Sequence, residues 1–200
     1  MKLEPNFLQK PTLLGEKVIL RPFQIEDIDT MLDILTDYEV KKLTGSVCND
    51  KEAYTPSSEE ELEKTMLWYR TRNEQENRLD LAIVDKKTNK VVGEVVFNEY
   101  DDSSNKVNFR ILIGPDGRNK GLGSEATSLF LEYGFNTLKL HKIGLHVFSF
   151  NPRGEHVYIK NGFVLEGILR EDFRYEEEYI DTKVYGLLSS EFHAKEYEDR

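Results

Sequence analysis

Of 200 residues only one is cysteine, one tryptophan and six proline, and no apolar run approaches the roughly twenty residues that a membrane-spanning helix needs. Cys48, being alone, excludes an intrachain disulfide and any cysteine-based metal site. No histidine or basic pair neighbours it, so it reads as a small, partly buried side chain and not as a nucleophile. The start, Met1-Lys-Leu-Glu-Pro5, has no apolar signal-peptide core, which points to a cytoplasmic protein. His141, His146, His156 and His193 show no metal-ligand spacing, read as structural or surface residues, and no metal is expected. Basic excess is absent too: 27 Lys and Arg against 37 Asp and Glu leave a net charge of −10. That balance opposes attraction to nucleic acid or an anionic membrane and suits a cationic partner, although solubility alone also accounts for it.

What is there is alternation. One domain is expected over residues 1–200, with its core at about 14–188 and frayed segments before Leu14 and after Ser190. Val18 to Arg21 reads as a strand, and Ile25, Ile28, Met31, Leu32 and Leu35 then recur at helical spacing. Thr36 to Pro56 reads as a long connection of the kind that often binds something, with room for a short helix near Val40 to Leu43. Ser58-Glu-Glu-Glu61 is a capping box opening a helix with Leu62, Met66 and Tyr69 on one face and Arg70 and Arg72 closing its end. Leu79 to Val84, Val91 to Phe97 and Val107 to Ile113 form an antiparallel meander. Helix (Ala126, Leu129, Phe130, Tyr133), strand (Ile143 to Phe150), helix (Arg153 to Asn161) and two closing strands (Phe163 to Phe173, Asp181 to Leu188) follow. The fold class is therefore mixed α/β, with a largely antiparallel sheet.

Between the third meander strand and the next helix lies Arg118-Asn-Lys-Gly121-Leu-Gly123, an R-x-x-G-x-G run. A glycine-rich turn opening a helix offers free N–H groups and the positive end of the dipole to a phosphate. A P-loop fails on order, since Lys120 precedes Gly121. A dinucleotide fingerprint, Gly121-x-Gly123-x-x-Ala126, lacks the early βα turn and the acidic residue about 20 positions on. The third reading joins the loop to Asn151-Pro152, Tyr158 and Gly162-Phe163 downstream.

Together these residues resemble the GCN5-related N-acetyltransferase (GNAT) superfamily. Leu14-Gly-Glu16, Leu20-Arg-Pro22, Val157-Tyr158 and Glu166-Gly167 to Arg170 look like its branch acting on ribosomal-protein N-termini. The resemblance implies helices on both faces of the sheet and acetyl-CoA as cosubstrate. It places the coenzyme phosphates on the loop Arg118, Asn119, Lys120, Gly121, Leu122, Gly123 and Ser124, with Leu122 turned toward the core. Lys120 reads equally as a solubilising lysine. Backbone groups of Ile111, Leu112 and Ile113 would meet the pantetheine arm, as would Asn151, which also suits a helix N-cap before Pro152. Tyr158 would protonate the departing thiolate, its rival role being a core aromatic against Phe163.

A general base is where the pattern breaks. Relatives often carry glutamate where Asn108 stands here, and Glu94 is the nearest substitute, followed by Glu99 and Asp101. An α-amine of pKa about 8 needs less help than a lysine amine of about 10.4, so the gap favours a protein or peptide N-terminus. A small amine such as a polyamine or aminoglycoside is the alternative acceptor. Glu176-Glu-Glu178 would face the acceptor cleft or form a solvated hairpin tip. Two other classes remain, a non-catalytic acyl-CoA-binding module and a nicotinamide-dependent oxidoreductase. The assembly is expected to be a monomer or homodimer.

Overall fold

The computed structural model describes residues 5–192. Eight strands form one sheet in the order β1-β2-β3-β4-β5-β6-β8-β7: β1 Leu13–Leu14, β2 Val18–Arg21, β3 Leu79–Asp85, β4 Lys90–Asp101, β5 Lys106–Ile113, β6 Lys142–Phe148, β7 Val164–Tyr175 and β8 Glu178–Leu188. The helices are α1 Ile28–Thr36, α2 Tyr38–Leu43, α3 Asp50–Tyr54, α4 Glu59–Thr71, α5 Leu122–Glu132 and α6 Pro152–Lys160. Every neighbouring strand pair is antiparallel except β5 with β6. None of the helices among the described residues is long and apolar enough to cross a membrane.

Two-sided burial follows from the strand sequences. Each residue of β3 is buried, because alternate side chains enter different cores. Leu79, Leu81 and Ile83 pack with Leu122, Ala126 and Phe130 of α5, three residues spaced four apart on one helix face. Ala82 and Val84 join Ile28, Met31 and Ile34 of α1 and Tyr69 of α4 on the other side. Phe97 of β4 stacks on Phe130 at 3.9 Å between centroids. Helices thus cover both faces, as the sequence pattern implied.

Local signals behave variously. Ser58 and Glu61 form the capping box, with Ser58 N–H donating to Glu61 Oε2 at 2.8 Å. The long connection after Thr36 holds the short helix expected near Val40 to Leu43, as α2, and a second one, α3, capped by Asp37 accepting from Val40 N–H at 3.0 Å and by Asn49 accepting from Glu52 N–H at 2.9 Å. Residues 1–4 and 193–200 of the segments expected to fray lie outside the described residues, and the described parts make contacts. Phe7 is buried edge-on against Tyr100 at 5.6 Å, Lys10 Nζ donates to the carbonyls of Phe7, Gln75 and Arg78, and Phe192 packs on Phe135 at 4.9 Å. His193 lies outside the described residues. Cys48 is exposed, not partly buried, because it occupies the turn between α2 and α3 and is held there through its backbone: its N–H donates to Glu52 and its carbonyl accepts from Glu176. The Glu176 tip thereby docks on that turn, and Glu176 Oε1 also accepts from Asp50 N–H at 2.7 Å.

Candidate active site

β5 and β6 pair only through Lys106↔Lys142, Val107↔Ile143 and Asn108↔Gly144. Beyond Asn108 they part, and a cavity of about 650 Å³ opens in the fork, walled by Phe109–Ile113 on one side and His146–Phe148 on the other. Over that stretch β5 keeps its antiparallel pairing to β4 while its opposite edge has no β6 partner. Ile111, Leu112 and Ile113 therefore line the cavity beside backbone groups free to meet an extended amide chain.

The glycine loop closes one end. After a 3₁₀ turn at Pro115–Gly117, Asn119 and Gly121 both take left-handed backbone, at φ 59° and 78°, and Gly121 becomes the N-cap of α5. Such a turn is concave and points peptide N–H groups inward, and only glycine adopts it without strain. Arg118, Asn119, Gly121, Gly123 and Ser124 line the cavity. Lys120 and Leu122 do not: Lys120 is exposed, and Leu122 is 3% exposed within the core. Arg118 departs from expectation. Its guanidinium pairs with Asp37 and, at 2.6 Å, with Glu39, and Glu39 also reaches Arg153 at 3.1 Å. Acidic residues of α2 thus cover the arginine that the loop motif assigns to phosphate, a tertiary contact 81 positions away in sequence.

Tyr158, on α6, lines the cavity and packs edge-on against Phe109 and Phe163 with centroids 6.3 and 6.0 Å away. Burial pushes its phenol up to about 12, with Arg110 opposing that shift. Tyr158 thus belongs to the core, as one sequence reading had it, and also lines the cavity. Asn151 likewise does both: Oδ1 accepts from Gly154 N–H at 2.9 Å as the N-cap of α6, and the residue lines the cavity.

On the opposite face of the sheet, β4 and β5 align Glu94 with Leu112 and Asn98 with Asn108. Glu94, Glu99 and Asn108 line the cavity there, with Val40, Leu43 and Thr44 of α2 and its C-terminus. Asn108 Nδ2 donates to Asn98 Oδ1 at 2.9 Å. Glu94 is 9% exposed and its Oε2 accepts from Tyr69 Oη at 2.8 Å and from Arg72 at 2.5 Å. Asp101, the third substitute considered, accepts from Ser103 and Ser104 in the β4–β5 turn and lies off the cavity, as do Glu176, Glu177 and Glu178. Glu99 owes its place to a bulge in β4, where it takes φ 54°. Further residues that the sequence left outside the site line the cavity, among them Arg110, His146, Arg153, His156, Lys160 and Thr182, the last with a buried Oγ1 lacking a partner among the described residues. His156 and Arg153 share a helix face with Tyr158's neighbours at i, i+3 spacing, a signal that could have found them. Among the described residues no group of three or more His, Cys, Asp or Glu could hold a metal ion.

A family model described as an acetyltransferase (GNAT) domain matches residues 17–164. The chain is 34% identical over 110 residues to a spermidine N(1)-acetyltransferase of Vibrio cholerae, covering 55% of this chain and 64% of that one. It is 28% identical over 181 residues to an uncharacterized N-acetyltransferase of Bacillus licheniformis, 90% of this chain and 98% of the other. Among solved structures, spermidine N-acetyltransferase from Vibrio cholerae in complex with CoA and spermine superposes with a TM-score of 0.74 at 26% identity, covering 88% and 98% of the two chains.

Proposed function

This chain belongs to the GNAT acetyltransferase family, and from that premise we propose that it moves the acetyl group of acetyl-CoA to a primary amine of a small polycation of the polyamine class. The observation carrying this is one cavity lined by two chemically different sets of groups. On one face of the sheet stands a concave loop of N–H donors, and on the other stand Glu94 and Glu99. The relatives named for spermidine point the same way.

Acetyl-CoA supplies an activated thioester when bound. Backbone N–H groups of the Gly121–Ser124 turn, at the N-terminus of α5, hold its pyrophosphate. The unpaired edge of β5 from Ile111 to Ile113 and the Asn151 amide hold the pantetheine amides in line with the fork. Tyr158 Oη donates the proton that the sulfur takes as the C–S bond breaks; a phenol kept protonated by burial suits a donor. Glu94 binds the acceptor as an ammonium and receives the proton it sheds before its nitrogen joins the acetyl carbon. Holding amine and thioester together in the fork supplies much of the rate.

The amide at Asn108 favours a second reading, an α-amine acceptor that needs little help from a base. Thiol release measured with spermidine, an N-terminally free peptide and an aminoglycoside separates the readings. The expected order puts spermidine first in kcat/KM. A peptide preference overturns the polyamine assignment, and no turnover with any amine leaves an acyl-CoA-binding module.

A further inference from the structure

Glu94 is gripped from behind by Tyr69, in the last turn of α4, and by Arg72, the C-cap of that helix. Tyr69 and Arg72 stand at i, i+3, so both reach the same spot on β4. Tyr69 Oη and one Arg72 nitrogen donate to the same oxygen, Oε2, at 2.8 and 2.5 Å. Glu94 lines the cavity, so Oε1 is the oxygen left for a ligand. The guanidinium itself cannot turn. Its central carbon lies 4.8 Å from the Phe23 ring and 4.6 Å from the Tyr69 ring, and its other terminal nitrogen donates to Asp80 at 2.6 Å. Asp80 is fixed in turn by two hydrogen bonds from Arg78, each of 2.7 Å. The backbone is pinned as well: at Gly93, a Cβ would stand 2.1 Å from the Leu112 carbonyl oxygen, so β4 presses on β5 immediately before Glu94.

We propose that Tyr69 and Arg72 are a positioning pair that aims the Glu94 carboxylate at the acceptor ammonium. The proposal rests on the acceptor-binding role given to Glu94 above. A tie between helix and sheet is a poor reason for this arrangement. Arg72 is 1% exposed and its Nε, buried, has no hydrogen-bond partner. Buried ionic clusters are commonly no more stabilising than well-packed apolar side chains of similar volume, and an unpaired donor adds a further penalty. Those costs are intelligible where one end of the cluster delivers an oriented negative charge to a binding cavity. Burial would lower the Arg72 pKa, but Glu94 and Asp80 outweigh it and keep the guanidinium charged. Burial and then the Glu94 charge raise the Tyr69 phenol, which keeps it a donor.

Three variants test this: Tyr69→Phe, which retains the ring against Phe23; Arg72→Lys, which retains charge but not the fork; and Glu94→Gln as reference. Acetyl-CoA affinity by calorimetry is expected to stay at the wild-type value in Tyr69→Phe, while kcat/KM for spermidine falls ~10-fold or more. The loss should fall on the KM for spermidine and not on that for acetyl-CoA, because the carboxylate stays in place but loses its aim. Arg72→Lys should do the same where it folds. A folded Tyr69→Phe with wild-type kcat/KM and an unmoved KM for spermidine, beside an impaired Glu94→Gln, would show the pair to be structural only and overturn the proposal. An unimpaired Glu94→Gln would sink the proposed role of Glu94 and the positioning pair with it.

Discussion

Replacing Tyr158 with phenylalanine separates packing from proton donation in one experiment. The ring contacts with Phe109 and Phe163 survive, and among the described residues no hydrogen bond from the hydroxyl is lost. The variant should therefore be as stable as wild type at neutral pH, to within about 1 kcal/mol. Turnover should fall ~100-fold, the low end for general acid catalysis and worth about 2.7 kcal/mol of barrier, with acetyl-CoA affinity kept. The same substitution has a signature in alkali. Below pH 10 the phenol is protonated whether the chain is folded or not and adds no pH dependence. Between 10 and about 12 the unfolded chain releases a proton that burial makes the folded chain keep. Folded stability should then drop by about 1.4 kcal/mol per pH unit from this one residue. Tyr158→Phe lacks that slope, so urea titrations at pH 9 and 11 should show the variant gaining on wild type by roughly 1.4 kcal/mol. Wild-type kcat in single-turnover assays would refute the role of the phenol as donor; an unchanged stability difference between the two pH values would refute its desolvation.

Gly123→Asp should weaken coenzyme A binding at least ~10-fold by calorimetry while leaving the fold intact, since the new Cβ meets nothing nearer than Ile113 Cγ1 at 3.4 Å and acidic residues suit a first helical turn. Unchanged affinity in the folded variant would make the turn structural. Phe7→Ala should lower stability by ~3 kcal/mol in a denaturant melt, in keeping with a buried aromatic; a loss below about 1 kcal/mol would return that segment to the frayed terminus the sequence suggested.

The parts of this protein legible in sequence are those written within a few residues of one another. The Ser58–Glu61 capping box, the left-handed Gly121 and the four-residue spacing of Leu122, Ala126 and Phe130 each announce themselves locally. What stayed hidden depends on partners far along the chain. Arg72 looked like the basic end of a helix because nothing near it reveals Asp80 on one side and Glu94 on the other, both reached only when β3 and β4 are laid down beside α4. Arg118 carried a phosphate-binding pattern, yet its ion pairs come from α2. The six- and five-residue helices α2 and α3 are too short to nucleate alone and give almost no periodic signal, so of the two only α2, near Val40 to Leu43, was foreshadowed. The fork itself is a property of register: Asn108↔Gly144 is the last pair, and no residue type records that.

Strands β1 to β5 form one antiparallel ladder and β6, β8 and β7 another, and among the described residues the two ladders meet only at residues 106–108 and 142–144. Each ladder supplies one wall of the cavity, so the walls are joined within the sheet by three residue pairs. Any molecule bound in the fork is therefore a clamp across that short join, and its binding should raise the free energy of local opening there.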